Sequence, residues 1–240
     1  MNLALMWDSI PRLLAGLPLT LELVILSLFL GFFLAIGVAL MRLSSYRVVS
    51  GFAYVYVFVF RGTPLLLQIY LIYYGLGQFE ALRHSFLWVF FREPFWCAIL
   101  AYTLNTGAYT SEIIRGGILS VPFAQIEAAR ACGMGRLLMF RRIVFPLAIR
   151  QALPAYSNEI MLMVKGSSLA STITLMEVTG IARSIISKTF SPVEIFIVAG
   201  SIYLLINFVV SRAIRYVEFR LSAHLRQPPQ PVAAEPVGAH

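Results

Sequence analysis

Six polar or ionisable residues and one methionine, in otherwise apolar surroundings, carry the chemistry of this chain. Asn105, Tyr109 and Glu112 follow one another at i, i+4 and i+7, which puts them on one face of a helix. Glu159 and Met163 share a face of a second helix, with Asn158 beside it, and Arg61 lies in a third apolar run. At ~1.5 Å of rise per residue, Asn105, Arg61 and Glu159 each sit ~15–20 Å from the end of their apolar runs, near the middle of a bilayer. An ionisable group at that depth costs ~2.5–3.5 kcal/mol and must face a partner or a watery cavity. One reading is a binding site: a cationic solute group pairs with Glu159 or Glu112, and Asn105 and Asn158 hydrogen-bond its remaining polar atoms. The other is structural: Arg61 and Glu159 neutralise each other, Asn105 ties helices together, and Glu112, near a helix end, is solvated. No nucleophile–base pair, zinc spacing, Walker A motif or dinucleotide loop is present, so nothing supports an embedded enzyme.

The elements that must hold these residues are membrane helices. Of the 240 residues 59% are hydrophobic and only 12% charged, against about 45–50% and about 25% in soluble domains. The spacing predicts five spans, at residues 17–41, 51–76, 94–114, 145–165 and 193–217, within a transmembrane domain of residues 17–226. Residues 1–16 read as an interfacial periplasmic segment, and residues 227–240, rich in proline, as a disordered cytoplasmic tail. The first span is too long for the apolar core of a cleavable signal. The net charge of +8 would suit nucleic acid, but the arginines cluster between apolar runs. Arg42 and Arg47, the series from Arg115 to Arg150, and Arg212 to Arg226 all fall on one side of a five-span bundle, which the positive-inside rule makes cytoplasmic. That accounts for the charge without a nucleic-acid partner, and it puts the N-terminus outside and Cys97 and Cys132 at opposite faces, too far apart to pair. Residues 167–191 are too polar to span and too apolar for a loop, so they read as a re-entrant or surface-lying helical segment. Within them Ser167 and Ser168 either form part of an outer gate or satisfy backbone groups of the turn. Gly62 and Pro64, following Arg61, mark a kink that is either a hinge or a plain bend.

Between the third and fourth spans lies "EAARACGMGRLLMFRRIVFP", Glu127 to Pro146. Pro122 can open a short helix here and Gly133 can end it in the left-handed conformation. Small Ala128, Ala129 and Ala131 permit close approach by another surface, with Arg130 turned away from Ile126 and Ala129. The residues alone leave a docking helix and a basic loop held to anionic lipid equally open.

The spacing of Glu127-Ala128-Ala129, Gly133 and Ile143-Val144-Phe145-Pro146 resembles the EAA loop of ATP-binding-cassette importer permeases, with Phe145 where that pattern has leucine. "FRGTPLLLQIYLIYYG" (60–75), "LNTGAYTSEIIRGGILSVP" (104–122) and "LPAYSNEIMLMVKGSSLASTIT" (153–174) resemble the polar amino-acid importers within that family, in particular the M-type subunits for histidine, basic amino acids and opines. The resemblance covers about residues 10–220. It implies an all-α type I permease fold with a cytoplasmic coupling helix at residues 122–134, in which Glu127, Ala128, Ala129, Arg130 and Gly133 engage an ATPase subunit. It also implies a Q-type permease partner, a periplasmic binding protein, an inner-membrane location, and a chain with no cofactor of its own, ATP being bound by the partner. The competing reading is an ion-coupled carrier working alone, with Arg61 and Glu159 as a proton relay. The absence of an evident internal repeat weakens it.

Overall fold

A computed structural model describes residues 2–221. Among them all regular secondary structure is helical, in agreement with the expected class; the expected tail at 227–240 lies outside the described residues. Helix α1 (Leu3–Leu14) starts where the Asn2 side chain accepts from the Leu5 amide at 3.1 Å, and it buries Ser9 and Leu13. Helix α2 (Leu17–Arg42) follows, then α3 (Arg47–Gly62) and α4 (Leu65–Tyr70). A π-helical turn (Leu71–Gly75) and two single turns, α5 (Glu80–Arg83) and α6 (Trp88–Phe91), lead to the long α7 (Pro94–Leu119). Then come α8 (Phe123–Ala131), α9 (Arg136–Met139), a second π turn (Phe140–Val144) and α10 (Phe145–Gly166). A 3-10 stretch (Ser167–Ile173), α11 (Val178–Thr189) and α12 (Pro192–Leu221) complete the order.

By length and hydropathy two helices can cross a membrane, α2 with a mean hydropathy of 2.8 and α12 with 2.2; counting each bent helix pair as one span raises the number to four. Helix α7, expected as the third span, is not among them. Its buried side includes Cys97, Ala101, Tyr102, Asn105, Thr106 and Ser111, because α2 packs along one flank and α10 along another, with α3 and α4 adding to the enclosure. A helix wrapped by protein does not need the hydropathy that lipid demands.

The expected run at 51–76 is not one helix. The axes of Arg47–Gly62 and Leu65–Gly75 differ by 106°. Proline disfavours helical backbone in the residue before it, and Thr63 is extended (φ −113°, ψ 145°), as is Pro64 (ψ 134°). Gln68 then ties the break shut, its Nε2 donating to the carbonyls of Phe60 (2.9 Å) and Thr63 (3.1 Å) and to Thr63 Oγ1 (2.8 Å). Residues 167–191, read as re-entrant or surface-lying, form the 3-10 stretch, a left-handed Thr174 (φ 73°) and α11. Glu177 caps α11 by accepting from the amides of Thr179 and Gly180, both at 2.9 Å.

Three apolar clusters result, a small one of Val38, Ala53 and Val57 between α2 and α3 and two larger ones. Leu23, Tyr102, Met163 and Ile173 anchor the one between α2, α7 and α10, and Leu13, Val178, Ile185 and Ile195 the one between α1, α11 and α12. Phe29, Phe58, Leu204 and Phe208 point outward, as lipid-facing side chains would. Helices α7 and α10 touch at Gly117, where a Cβ would lie 2.7 Å from the carbonyl oxygen of Ala148. Replacing Gly117 by alanine therefore overpacks a backbone contact that has no flexible end to yield. A loss of about 1–3 kcal/mol is expected, seen as a lower thermal midpoint of the detergent-solubilised protein than for the neighbouring Gly116→Ala, where nothing lies within 4 Å.

Candidate functional site

The helix break faces α7 and α10 across a cavity of about 420 Å³. Its wall draws on the end of α3 and the break (Arg61, Gly62, Pro64), on α7 (Asn105, Tyr109) and on α10 (Glu159, Met163). Five of the seven residues singled out from the sequence, and both residues of the kink, thus meet at one place.

Glu159 is the chemically notable member. It is 5% exposed and forms none of the ion pairs found among the described residues. Arg61 acts on it electrostatically, but the Arg61 guanidinium lies over the Tyr109 ring, 5.1 Å from its centroid. The Tyr109 hydroxyl in turn donates to the Arg61 carbonyl at 3.4 Å. The mutual neutralisation of Arg61 and Glu159 envisaged from the sequence is therefore not made as a contact pair. A carboxyl group at membrane depth is left facing a polar cavity, where a cationic ligand group would find it.

Asn105 does what the structural reading asked of it. Its Nδ2 donates to Gln68 Oε1 (3.0 Å) and to the Phe60 carbonyl (3.3 Å), fastening α7 to both sides of the break. Its Oδ1 has no partner among the described residues and remains an acceptor at the cavity.

The other candidates lie elsewhere. Asn158, next in sequence to Glu159, is exposed on a different face of α10; a one-residue step turns a helical side chain through about 100°. Glu112 is bound between Arg42 (Nε–Oε1 3.0 Å) and Arg115 (Nη2–Oε2 2.6 Å), away from the cavity. Ser167 Oγ donates to the Val164 carbonyl and Ser168 Oγ to the Lys165 carbonyl, both at 2.7 Å, so both hydroxyls are used within their own turn. Sequence reasoning missed Gln68 and Arg42. The signal for Gln68 was present, an amide four residues after a proline in an otherwise apolar run. That for Arg42 was not, because its partner is 70 residues away.

The basic segment forms helix α8, and only Ala129 of it is buried, at 3% exposure. Glu127, Ala128, Arg130 and Gly133 are exposed. Its C-terminus is a Schellman closure: Gly133 is left-handed (φ 74°), Met134 N donates to the Ala129 carbonyl at 3.1 Å, and Gly133 N to that of Arg130 at 2.9 Å. The helix stands away from the bundle over a hollow of about 490 Å³, toward which Arg142 and Arg150 of the following segment project.

A helical bundle enclosing a polar cavity at a broken helix, with an exposed basic helix at one end, is the architecture of a transport subunit. Residues 9–223 match the family described as binding-protein-dependent transport system inner membrane component. The chain is 61% identical over 227 residues to the nopaline transport system permease protein NocM of Agrobacterium fabrum, covering 94% of each. It is 57% identical to the octopine transport system permease protein OccM of Rhizobium meliloti, covering 95% of this chain and 93% of that one. It is 41% identical to the histidine/lysine/arginine/ornithine transport system permease protein HisM of Escherichia coli, covering 92% and 93%. A chain from a crystal structure of an amino acid ABC transporter with histidines superposes with a TM-score of 0.82 at 34% identity, covering 92% of this chain and 99% of that one. A chain of the inward-facing MetNI methionine ABC transporter shares the fold, with a TM-score of 0.67 at 17% identity. The chain belongs to the binding-protein-dependent inner membrane component family, and it is a permease subunit of an ATP-binding-cassette importer. A carrier working alone is thereby set aside.

Nothing lies within 4 Å of a Cβ placed on Gly133, so an alanine there meets no clash and is opposed only by its positive φ. Gly133→Ala is expected to cost about 1–2 kcal/mol. The loss should be local, read as faster amide exchange across residues 123–134 with the rates in α7 unchanged.

Proposed function

We propose that this permease imports a cationic amino acid or an opine, and that the cavity beside the helix break is where the substrate's positive group is received by Glu159. The observation that carries the reading is a buried carboxylate, open to the cavity, with no ion-paired partner. The names of the relatives support the substrate class, since nopaline, octopine and the basic amino acids are the solutes of their transport systems. Asn105 Oδ1 and the Tyr109 ring complete the receiving surface, and the break at Gly62 and Pro64 is the hinge about which the cavity opens.

Helix α8 is the coupling element. Its exposed face, with Glu127, Ala128 and Arg130, seats on an ATPase subunit, which binds and hydrolyses ATP; this chain is not itself the catalyst. A Q-type permease completes the pore, a periplasmic binding protein delivers the solute, and the chain sits in a bacterial inner membrane with its N-terminus periplasmic and its C-terminus cytoplasmic.

Glu159→Gln tests the site. A hydrogen bond to a charged group contributes about 1.5–3 kcal/mol, so uptake of L-arginine by the reconstituted complex with loaded binding protein should fall about ten- to a hundredfold. Unchanged uptake removes Glu159 from the substrate's path. The coupling reading has its own test, because Cys132 at the end of α8 is exposed and Cys97 is buried. A thiol-directed crosslinker applied to native vesicles should join Cys132 to the ATPase subunit. Labelling of Cys132 from the periplasmic side, with no adduct to the ATPase, would reject both the docking and the topology.

A further inference from the structure

A second cavity, of about 360 Å³, lies further along α7 and shares Arg61, Gly62 and Tyr109 with the first. The stacked Arg61–Tyr109 pair is the wall between them. At ~1.5 Å per residue, the seven residues from Asn105 to Glu112 separate the two chambers by ~10 Å along the helix.

The chambers differ in the sign of the charge they offer. The first holds the carboxylate of Glu159, which makes no ion-pair contact among the described residues. In the second, the only carboxylate, Glu112, already carries two guanidinium groups, with Arg42 at 3.0 Å and Arg115 at 2.6 Å. Arg42 uses its Nε on Glu112 and lies over the Tyr54 ring, 5.0 Å from its centroid. Its Nη1 and Nη2 have no hydrogen-bond partner among the described residues, and Arg42 is largely buried, with 17% of its side chain exposed. Arg61, which lines both chambers, adds its charge here as well as beside Glu159. Guanidinium groups held by one edge, with the other edge open to a cavity, are built to take a carboxylate.

We propose that this second chamber is a weaker substrate station that takes the carboxylate end of the transported molecule on Arg42, once its cationic end has left Glu159 and the Arg61–Tyr109 wall has parted. The proposal rests on the reading of the first cavity as the receiving site. An amino acid or opine carries both charges, so the two stations bind opposite ends of one molecule in turn.

The test is equilibrium binding of radiolabelled L-arginine to the complete complex in nanodiscs without ATP. The native complex should show a tight and a weak class of site for each copy of this chain. Arg42→Gln should weaken the second class at least tenfold and leave the first, and Arg42→Lys, which keeps the charge but not the two-edged fork, should weaken it too, by less. Agmatine, which is arginine without its carboxylate, should occupy the tight class alone. A native complex with a single class, lost in Glu159→Gln, overturns the second station and leaves the first. Two classes both indifferent to Arg42→Gln, or agmatine filling both, also overturn it. No arginine bound at all would sink the receiving site and this proposal together.

Discussion

Asn105, Thr106, Tyr109, Ser111 and Glu112 put more polar surface on one helix than a bilayer core tolerates, and the bundle is organised around keeping that helix out of lipid. Helix α2 covers one flank of α7 and α10 another. The covering helices can afford apolar outer faces because α7 supplies the polar interior. The close backbone approach at Gly117 follows from the same need, since side chains between α7 and α10 would hold them too far apart to seal the polar face. Burial also fixes what each polar group can do. Tyr102, fully buried, donates to the carbonyls of Gly166 and Ser167 at the end of α10. Asn105 reaches the break, and Glu159 from the facing helix finds a space in which it is not paired.

The break between α3 and α4 is the second consequence. A chain that stops being helical at membrane depth exposes carbonyls that lipid cannot satisfy. Here the Phe60 and Thr63 carbonyls are met by Gln68, and Gln68 is met by Asn105 of α7. The break is thus fixed in a definite shape, and the same hydrogen bonds that stabilise it deliver Arg61 and Pro64 to the cavity. Structural glue and site geometry are one network, which is why Asn105 fits both of the roles that could be written for it from its position alone.

How much of this was legible in the sequence depended on the range of the interaction. Helical periodicity placed Asn105 and Tyr109 on one face, and depth arithmetic put Arg61 and Glu159 at the same level; both are local properties and both match the cavity. The Schellman closure at Gly133 was equally local. What periodicity could not give was rotation. Asn158 and Glu159 are adjacent in sequence, and only the packing of α10 against α7 decides which of them turns inward. Glu112 shares the helical face of Asn105, yet its fate is set by Arg42 on another helix. Pro64 announced a bend, but its size depended on Gln68 being free to tie off the carbonyls. The expected span on α7 falls below a hydropathy threshold because much of the helix is covered by protein, which a scale built on lipid contact does not see.

The connectivity around α8 gives the cavity a mechanical handle. Helix α8 follows α7 after a three-residue link and reaches α10 through α9 and a π turn, so the helices bearing Asn105 and Tyr109 on one side and Glu159 on the other both end near it. Those two helices are locked together at Gly117 and Ala148. On the proposed coupling role of α8, that close contact carries α7 and α10 together. The opposite wall, Arg61 and the break, belongs to α3 and α4, which join α7 only through two turns of helix and the loops around them. The seam that can open is then the one between the α7–α10 pair and the broken helix. It is bridged by the bonds of Asn105 to Gln68 and Phe60 and by the stacking of Arg61 on Tyr109. A few hydrogen bonds and one cation–π contact of about 0.5–2 kcal/mol resist opening less than the helix-on-helix contact behind them, which suits the proposed coupling to an ATPase subunit.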